Sequence, residues 1–355
     1  MLTTDAGARR SRTAVAAALA CAALAAMCLT APRAHAEDVS HPCSPRVSIT
    51  SFSDALDKST VSGRQVSGLS ALAVDPAGGR VSALSDRSTL LELSEDLSRA
   101  TSLVRLTDRT GRTLDSEALV VQADGSRLIA SENEPSITRH APDGSHLDTL
   151  EVPGNLRVYP RGPAWANRTF EGLSVHPAGH TLIASMEGAI TGDSSTVRRL
   201  QTWDHDAAAD RWRPARQYGY RADAGLDISD IAATGDGRLL VVERGYSSRR
   251  GSLVRLYLAD PAKATDVRTI TSLTSRSSAA LVPKTLMADL GTCPSLGARA
   301  LQPQDNPLLD NIEGMTVTGR TRQGHLRLLL VSDDNGSHEQ ITRLYRLTAS
   351  LPPRA

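Results

Sequence analysis

Carboxylates recur at two matched points along this chain. The first set is Glu117, Glu171 and Glu313, with Asp230 one residue out of register, and it stands where an apolar run begins. The second set, Asp86, Glu132, Glu187, Glu243 and Asp333, follows the next apolar run, with Glu134 and Asp334 close by. Gathered about one axis, these carboxylates would repel one another strongly unless cations or arginines neutralised them. An oxygen-rich cluster of this kind suits Ca2+, and any member left unneutralised would have a raised pKa suited to acid/base work. The run Asp333-Asp334-Asn335-Gly336 is the most ligand-like locally, although the same residue types make an ordinary turn. A single acid more often caps a loop amide or pairs with arginine, and Arg87, Arg221 and Arg244 are near in sequence. The repetition of the set is what points to a cation or substrate site. His176 and His338 are candidate acid/base groups whose plainer reading is a solvated or structural loop histidine.

The acids are positioned by a repeated hairpin. Residues 68–88, 115–135, 169–189, 227–247 and 311–337 share an apolar-alternating strand, a Pro/Gly/Asp turn, a second apolar strand and then an acid. The turns DPAGG, ADGS, HPAGH, GDG and GRTRQGH are hairpin chemistry, since Gly and Asp tolerate the positive φ of a tight reversal. A second pair of strand-like runs follows each, so a unit is about four strands. Neighbouring strands of a hairpin bring the start of one and the end of the next to the same sheet edge, so both acid sets converge on one face. The aligned positions Ser70, Glu117, Glu171, Ser229 and Glu313 lie 47, 54, 58 and 84 residues apart. That spacing predicts an all-β fold, a β-propeller of four-stranded blades. The long last gap favours six blades over five, with a degenerate one near residues 260–300. Helical periodicity is weak, and no crossover helices for a parallel sheet are found.

The first 36 residues read as a secretory signal: Arg9, Arg10 and Arg12, an Ala-rich apolar run from Thr13 to Leu29, then Ala34-His35-Ala36. Cleavage there would leave 36 basic and 38 acidic side chains, a charge of −2, and nothing apolar enough to span a bilayer. A near-balanced charge and 3% aromatic residues argue against nucleic-acid binding by phosphate neutralisation or base stacking. Only Cys43 and Cys293 would remain in the exported chain, where a single disulfide between them is expected. No GxSxG, HExxH, GxxxxGK[ST] or strand-linked GxGxxG occurs, which disfavours serine-triad, zincin, nucleotide-hydrolase and Rossmann chemistry. An Arg-for-Lys and Ala bias reads as that of a GC-rich bacterial genome.

As a set, SGLSALAVDP with ALSDR (67–87), DSEALVV with ASENEP (115–135), FEGLSVHP (170–177), DISDIAATGDGRLLVVERGYS (227–247) and NIEGMTV with LVSDDN (311–335) resemble the phytase-like domain family, often described as "esterase-like activity of phytase" proteins. The resemblance covers roughly residues 60–347. It implies a secreted or envelope β-propeller grouped with calcium-dependent phosphoesterases. Met186 stands where other copies carry the acid, which moves it to Glu187, and a Lys-rich phosphate cradle is not evident.

The expected organisation is a signal peptide at 1–36, an N-terminal extension at 37–59 and a phytase-like propeller at 60–350. The leading expectation is an exported, Ca2+-dependent phosphoric ester hydrolase, acting as a monomer on a small-molecule ester. Glu117, Glu171, Glu313, Asp333 and Asp334 would hold the metal, with Glu117 and Glu171 catalytic, and Arg87 and Arg244 would grip substrate. A metal-dependent lactonase or carboxylesterase and a non-catalytic envelope scaffold are the alternatives.

Overall fold

Short apolar runs bounded by Gly, Asp and Pro turns become strands throughout the chain. The computed structural model describes residues 40–176 and 179–354. The expected signal segment lies outside the described residues. The chain enters on β1 (His41–Pro42) and β2 (Val47–Ser53) and makes a small hairpin of β3 (Thr60–Val61) and β4 (Arg64–Gln65). Four antiparallel sheets of four strands follow. The first holds β5 (Leu69–Val74), β6 (Val81–Ser85), β7 (Thr89–Leu93) and β8 (Ala100–Arg105). The second holds β9 (Ser116–Val121), β10 (Arg127–Ser131), β11 (Ser136–His140) and β12 (His146–Thr149). In the third are β13 (Phe170–Val175), β14 (Thr181–Met186), β15 (Val197–Asp206) and β16 (Arg211–Arg221); in the fourth, β17 (Asp227–Ala233), β18 (Leu239–Ser247), β19 (Gly251–Ala259) and β20 (Lys284–Asp289).

The fifth sheet closes the ring. It is built from β21 (Ile312–Arg320), β22 (Leu326–Ser332) and β23 (Leu344–Ala349), and its outer strands are the N-terminal β2 and β1. The first strands of the five sheets contact one another in cyclic order, β5 to β9 to β13 to β17 to β21 and back to β5. The fold is therefore a five-bladed β-propeller. Part of the stretch set apart as an N-terminal extension supplies β2, which pairs with β23 from Val47↔Ala349 to Ser53↔Leu344. A Cys43–Cys293 disulfide, 250 residues apart in sequence, ties that N-terminal entry to the loop after β20.

The sixth blade favoured from spacing is not present. Residues 260–300 contribute one strand, β20, to the outer edge of the fourth sheet. The long connection before it folds back on the third sheet, where Val267 N donates to Gln217 O at 2.7 Å and Val282 N to Gly219 O at 2.8 Å. Leu273 and Val267 pack with Val197 there, so the extra length covers an existing edge instead of building a new one.

Apolar side chains fill five layers, one between each pair of neighbouring blades. Leu84, Leu90 and Ala73 meet Leu119 and Ile129 between the first and second; Leu128 and Ile137 meet Leu182 and Trp203 between the second and third. Tyr220 and Leu200 meet Val241 and Leu239 in the next layer. Val242, Leu256 and Leu258 then meet Leu328, Leu330 and Tyr345, and Leu329 and Val331 meet Leu69 and Ala83. The alternation expected of the first strands gives way to burial on both faces, as in LSALAV, where every residue but the last is buried.

Candidate functional site

Each first strand carries a register shift near its start, and the unpaired residue is the same member of the repeat every time. Ser70, Glu117, Glu171, Ser229 and Glu313 are the skipped positions in the five pairings. A β-bulge leaves its extra residue outside the ladder and turns its side chain, which here directs Glu117, Glu171 and Glu313 to the walls of one axial cavity of about 560 Å³. The residue after the bulge is Ala71, Ala118, Gly172 and Gly314 in four of the blades, where the first strands crowd, and Asp230 in the remaining one. A Cβ on Gly172 would stand 2.8 Å from Ile231 N, and one on Gly314 would stand 2.9 Å from Ala71 Cα.

The bulge register also fixes the second ring. Ser85, Ser131, Met186, Glu243 and Ser332 oppose the residue before each bulge, so the next residues in line are Asp86, Glu132, Glu187, Arg244 and Asp333. All five line the axial cavity. Glu187 is thus in register and not displaced by Met186. The displaced member is Glu243, whose place in the fourth blade is taken by Arg244.

Electrostatics follow from that ring. Burial pushes the Glu132 carboxyl up to about 8, reinforced by Glu187 and Asp115. Burial does the same for Asp333, also to about 8, with Glu313 and Asp86 adding repulsion. Glu171 is driven well above its ordinary range by burial and then by Glu117 and Glu187, and Glu117 likewise by burial and then Glu313. Arg244 is the cation lining the cavity: its guanidinium stands 3.2 Å from Glu313 and 3.9 Å from Glu187 and donates to Asn311 Oδ1 at 2.8 Å. Burial would lower its pKa, but these carboxylates raise it overall.

Two carboxylate trios have oxygens within 4.8 Å of one another: Asp115, Glu117 and Glu132, and Glu132, Glu171 and Glu187. Glu132 belongs to both, and its buried Oε2 has no hydrogen-bond partner. A carboxyl oxygen left bare inside protein is costly, and a hard divalent cation would satisfy it. No His or Cys lines the cavity among the described residues. The oxygen-rich donor set fits Ca2+ and not a metal that prefers nitrogen or sulfur.

Four of the expected metal ligands, Glu117, Glu171, Glu313 and Asp333, reach the cavity. Glu313 is engaged by Arg244 and by Asn311 Nδ2 at 2.8 Å. Asp334 stands elsewhere. It forms an ion pair with Lys58 and accepts from Ser67 Oγ at 2.8 Å, Gly68 N at 2.9 Å and Gly336 N at 3.1 Å, which leaves it little capacity for a metal. Asp230 ties blades together, accepting from Met315 N at 2.6 Å and Ile231 N at 2.7 Å. Glu243 is buried in a separate knot with Lys284, Tyr220 Oη at 2.6 Å and Asp223 N at 2.8 Å. Arg87 faces a different cavity from Arg244. Among the described residues, His176 and His338 do not line the axial cavity.

Asp115 and Asn311 were not singled out from the sequence, yet both line the cavity. Each sits two residues before its bulge glutamate, in D-S-E and N-I-E. That recurring offset was the available signal. Glu134 is drawn outward to Arg161 at 2.7 Å.

A family model described as phytase-like, esterase-like activity of phytase, matches residues 64–336. No curated protein matches the sequence. Among solved structures, a gluconolactonase from Xanthomonas campestris is 13% identical, with 79% of this chain and 71% of that chain covered and a TM-score of 0.41. The PQQ-bound aldose sugar dehydrogenase from Streptomyces coelicolor is 14% identical over 87% of this chain and 100% of that chain, also with a TM-score of 0.41. A glutaminyl cyclase from Myxococcus xanthus is 10% identical over 80% of this chain and 92% of that one, with a TM-score of 0.41.

Proposed function

The chain belongs to the phytase-like family, esterase-like activity of phytase, and on that premise we propose that it is an exported, Ca2+-dependent hydrolase of phosphoric esters that acts on a small molecule in the axial cavity. The observation that carries this reading is Glu132, a buried carboxylate shared by two acidic trios with one oxygen lacking any partner. Asp115, Glu117, Glu132, Glu171 and Glu187 would hold the cation. When bound, a divalent cation supplies Lewis-acid neutralisation of charge developing on an ester oxygen.

The protein's own groups do the rest. Asp333, whose carboxyl titrates at about 8 in the cation-free cavity, can hold or release a proton near neutral pH at the cavity wall. Arg244 offers a guanidinium aimed into the cavity, suited to an anionic ester oxygen. Glu313 and Asn311 hold that guanidinium in place from one side.

A second reading, a metal-dependent lactonase or carboxylesterase, is favoured by one feature: Arg244 is the only Lys or Arg among the residues described as lining this cavity. A neutral ester needs fewer cations than a phosphoric one. Export rests on the N-terminal signal pattern, and among the described residues no helix is long and apolar enough to cross a membrane.

The test assays purified protein on p-nitrophenyl phosphate, bis-p-nitrophenyl phosphate and p-nitrophenyl butyrate, with Ca2+ or with chelator. Phosphate release that disappears on chelation and in Glu171→Gln is the expected result. Cleavage of the butyrate alone would transfer the assignment to the second reading. Absence of both turnover and bound metal would leave a non-catalytic scaffold.

A further inference from the structure

A second cavity, of about 600 Å³, abuts the axial one and has the opposite charge. Arg64 from the β3–β4 hairpin, Arg87 after β6 and Arg105 at the end of β8 all line it, and no Asp or Glu does among the described residues. Leu91, Leu103 and Leu114 give it an apolar floor.

These arginines are not spent on structure. Some guanidinium groups of this chain are held by carboxylates, as in Arg199 with Asp193 at 2.8 Å and Arg343 with Asp54 at 2.6 Å. Among the described residues, the side chains of Arg64 and Arg105 make no hydrogen bond or ion pair, and Arg87 has only Asp86, 3.8 Å from its Nε. The loop carrying Gly336 lies against Arg87: a Cβ on Gly336, whose φ is +64°, would stand 2.3 Å from Arg87 Nη2. Two unpaired cations, Arg64 and Arg105, and a third, Arg87, held only loosely by Asp86, stand over an apolar floor and match a ligand that carries a negative head and a nonpolar body.

The two cavities share a wall. Asp86 and Asn335 line the axial cavity, while their chain neighbours Arg87 and Gly336 line this one.

We propose that the Arg64–Arg87–Arg105 cavity is a binding site for an organic anion, a phosphate or carboxylate attached to an apolar group. The site stands independently of the hydrolase reading, because it is made by other residues and calls for no metal. Its occupant would lie beside the axial cavity, either as the anionic tail of a substrate or as a separate effector.

The test is calorimetric titration of the full protein, kept in chelator, with phenyl phosphate, inorganic phosphate and phenol as probes. Phenyl phosphate should bind saturably and more tightly than inorganic phosphate, with phenol not binding. The double variant Arg64→Ala, Arg105→Ala should weaken it about tenfold or more, the loss of charge-assisted hydrogen bonds. Both residues are exposed, so the variant should keep the wild-type melting curve. Arg244→Gln should leave the affinity unchanged. No saturable binding, equal affinity for the two phosphates, or binding that survives the double variant and is lost in Arg244→Gln would each overturn the proposal.

Discussion

Arg244 and Glu132 set the character of the axial cavity between them. Arg244 stands in the ring position that four other blades fill with an acid, and it neutralises Glu313 and Glu187 from within the protein. Replacing it with Gln leaves those carboxylates without their cation. In chelator, Arg244→Gln should lose about 2 kcal/mol or more of stability in urea denaturation, and added Ca2+ should return part of the loss. Glu132→Gln should do the reverse in chelator and raise the melting temperature, because a buried, repelled carboxyl becomes a neutral amide of the same shape. In Ca2+ the same variant should lose its stabilising response to the ion. The sequence brought these residues to notice through their repetition. It could not place Glu243 correctly, since Glu243 and Arg244 are both charged and a one-residue slip at a bulge decides which of them enters the cavity. Nor could it show that Asp334 is taken by Lys58, a residue 276 positions away.

The bulged first strand is the element that makes the site. It needs an acid outside the ladder followed by a residue small enough for two first strands to touch, which is the E-G pair of the third and fifth blades. Gly172→Ala puts a methyl group against the Ile231 backbone nitrogen. The cost should be about 1–3 kcal/mol in equilibrium unfolding, with activity falling further than stability because Glu171 moves. Apolar runs and Gly/Asp turns make these hairpins readable from the residues alone. The blade count is not readable in the same way. A long gap can be a blade or a loop, and residues 260–283 are a connection that follows backbone bonds along the edge of the third sheet. The strand completing the fifth blade, β2, comes from the other end of the chain, so no local pattern announces it.

For the whole molecule, the ring of acids makes stability depend on pH in a direction opposite to that of a protein held by salt bridges. Glu132 and Asp333 titrate at about 8 when folded and at roughly 4 when unfolded. Their protons therefore favour the folded state fully below about pH 4, and that contribution declines as pH rises to about 8. In chelator the melting temperature should fall between pH 6 and pH 8.5; with saturating Ca2+ the decline should be suppressed. The closure of the ring is a second global feature. Cys293→Ser frees the N-terminal strand from the loop after β20 and should cost roughly 2–5 kcal/mol, read by urea denaturation with and without reductant.

The central claim is that the acids of successive blades form one cation site that works in hydrolysis, and calorimetric Ca2+ titration of the protein beside Glu132→Gln tests it most directly. The expected result is saturable binding by the wild type, tighter at pH 8.5 than at pH 6 as protons are displaced, and binding weakened at least tenfold in the variant, the loss expected for a charged ligand oxygen. Wild-type protein that takes up no Ca2+, or a variant that binds it as well as the wild type, would contradict that claim.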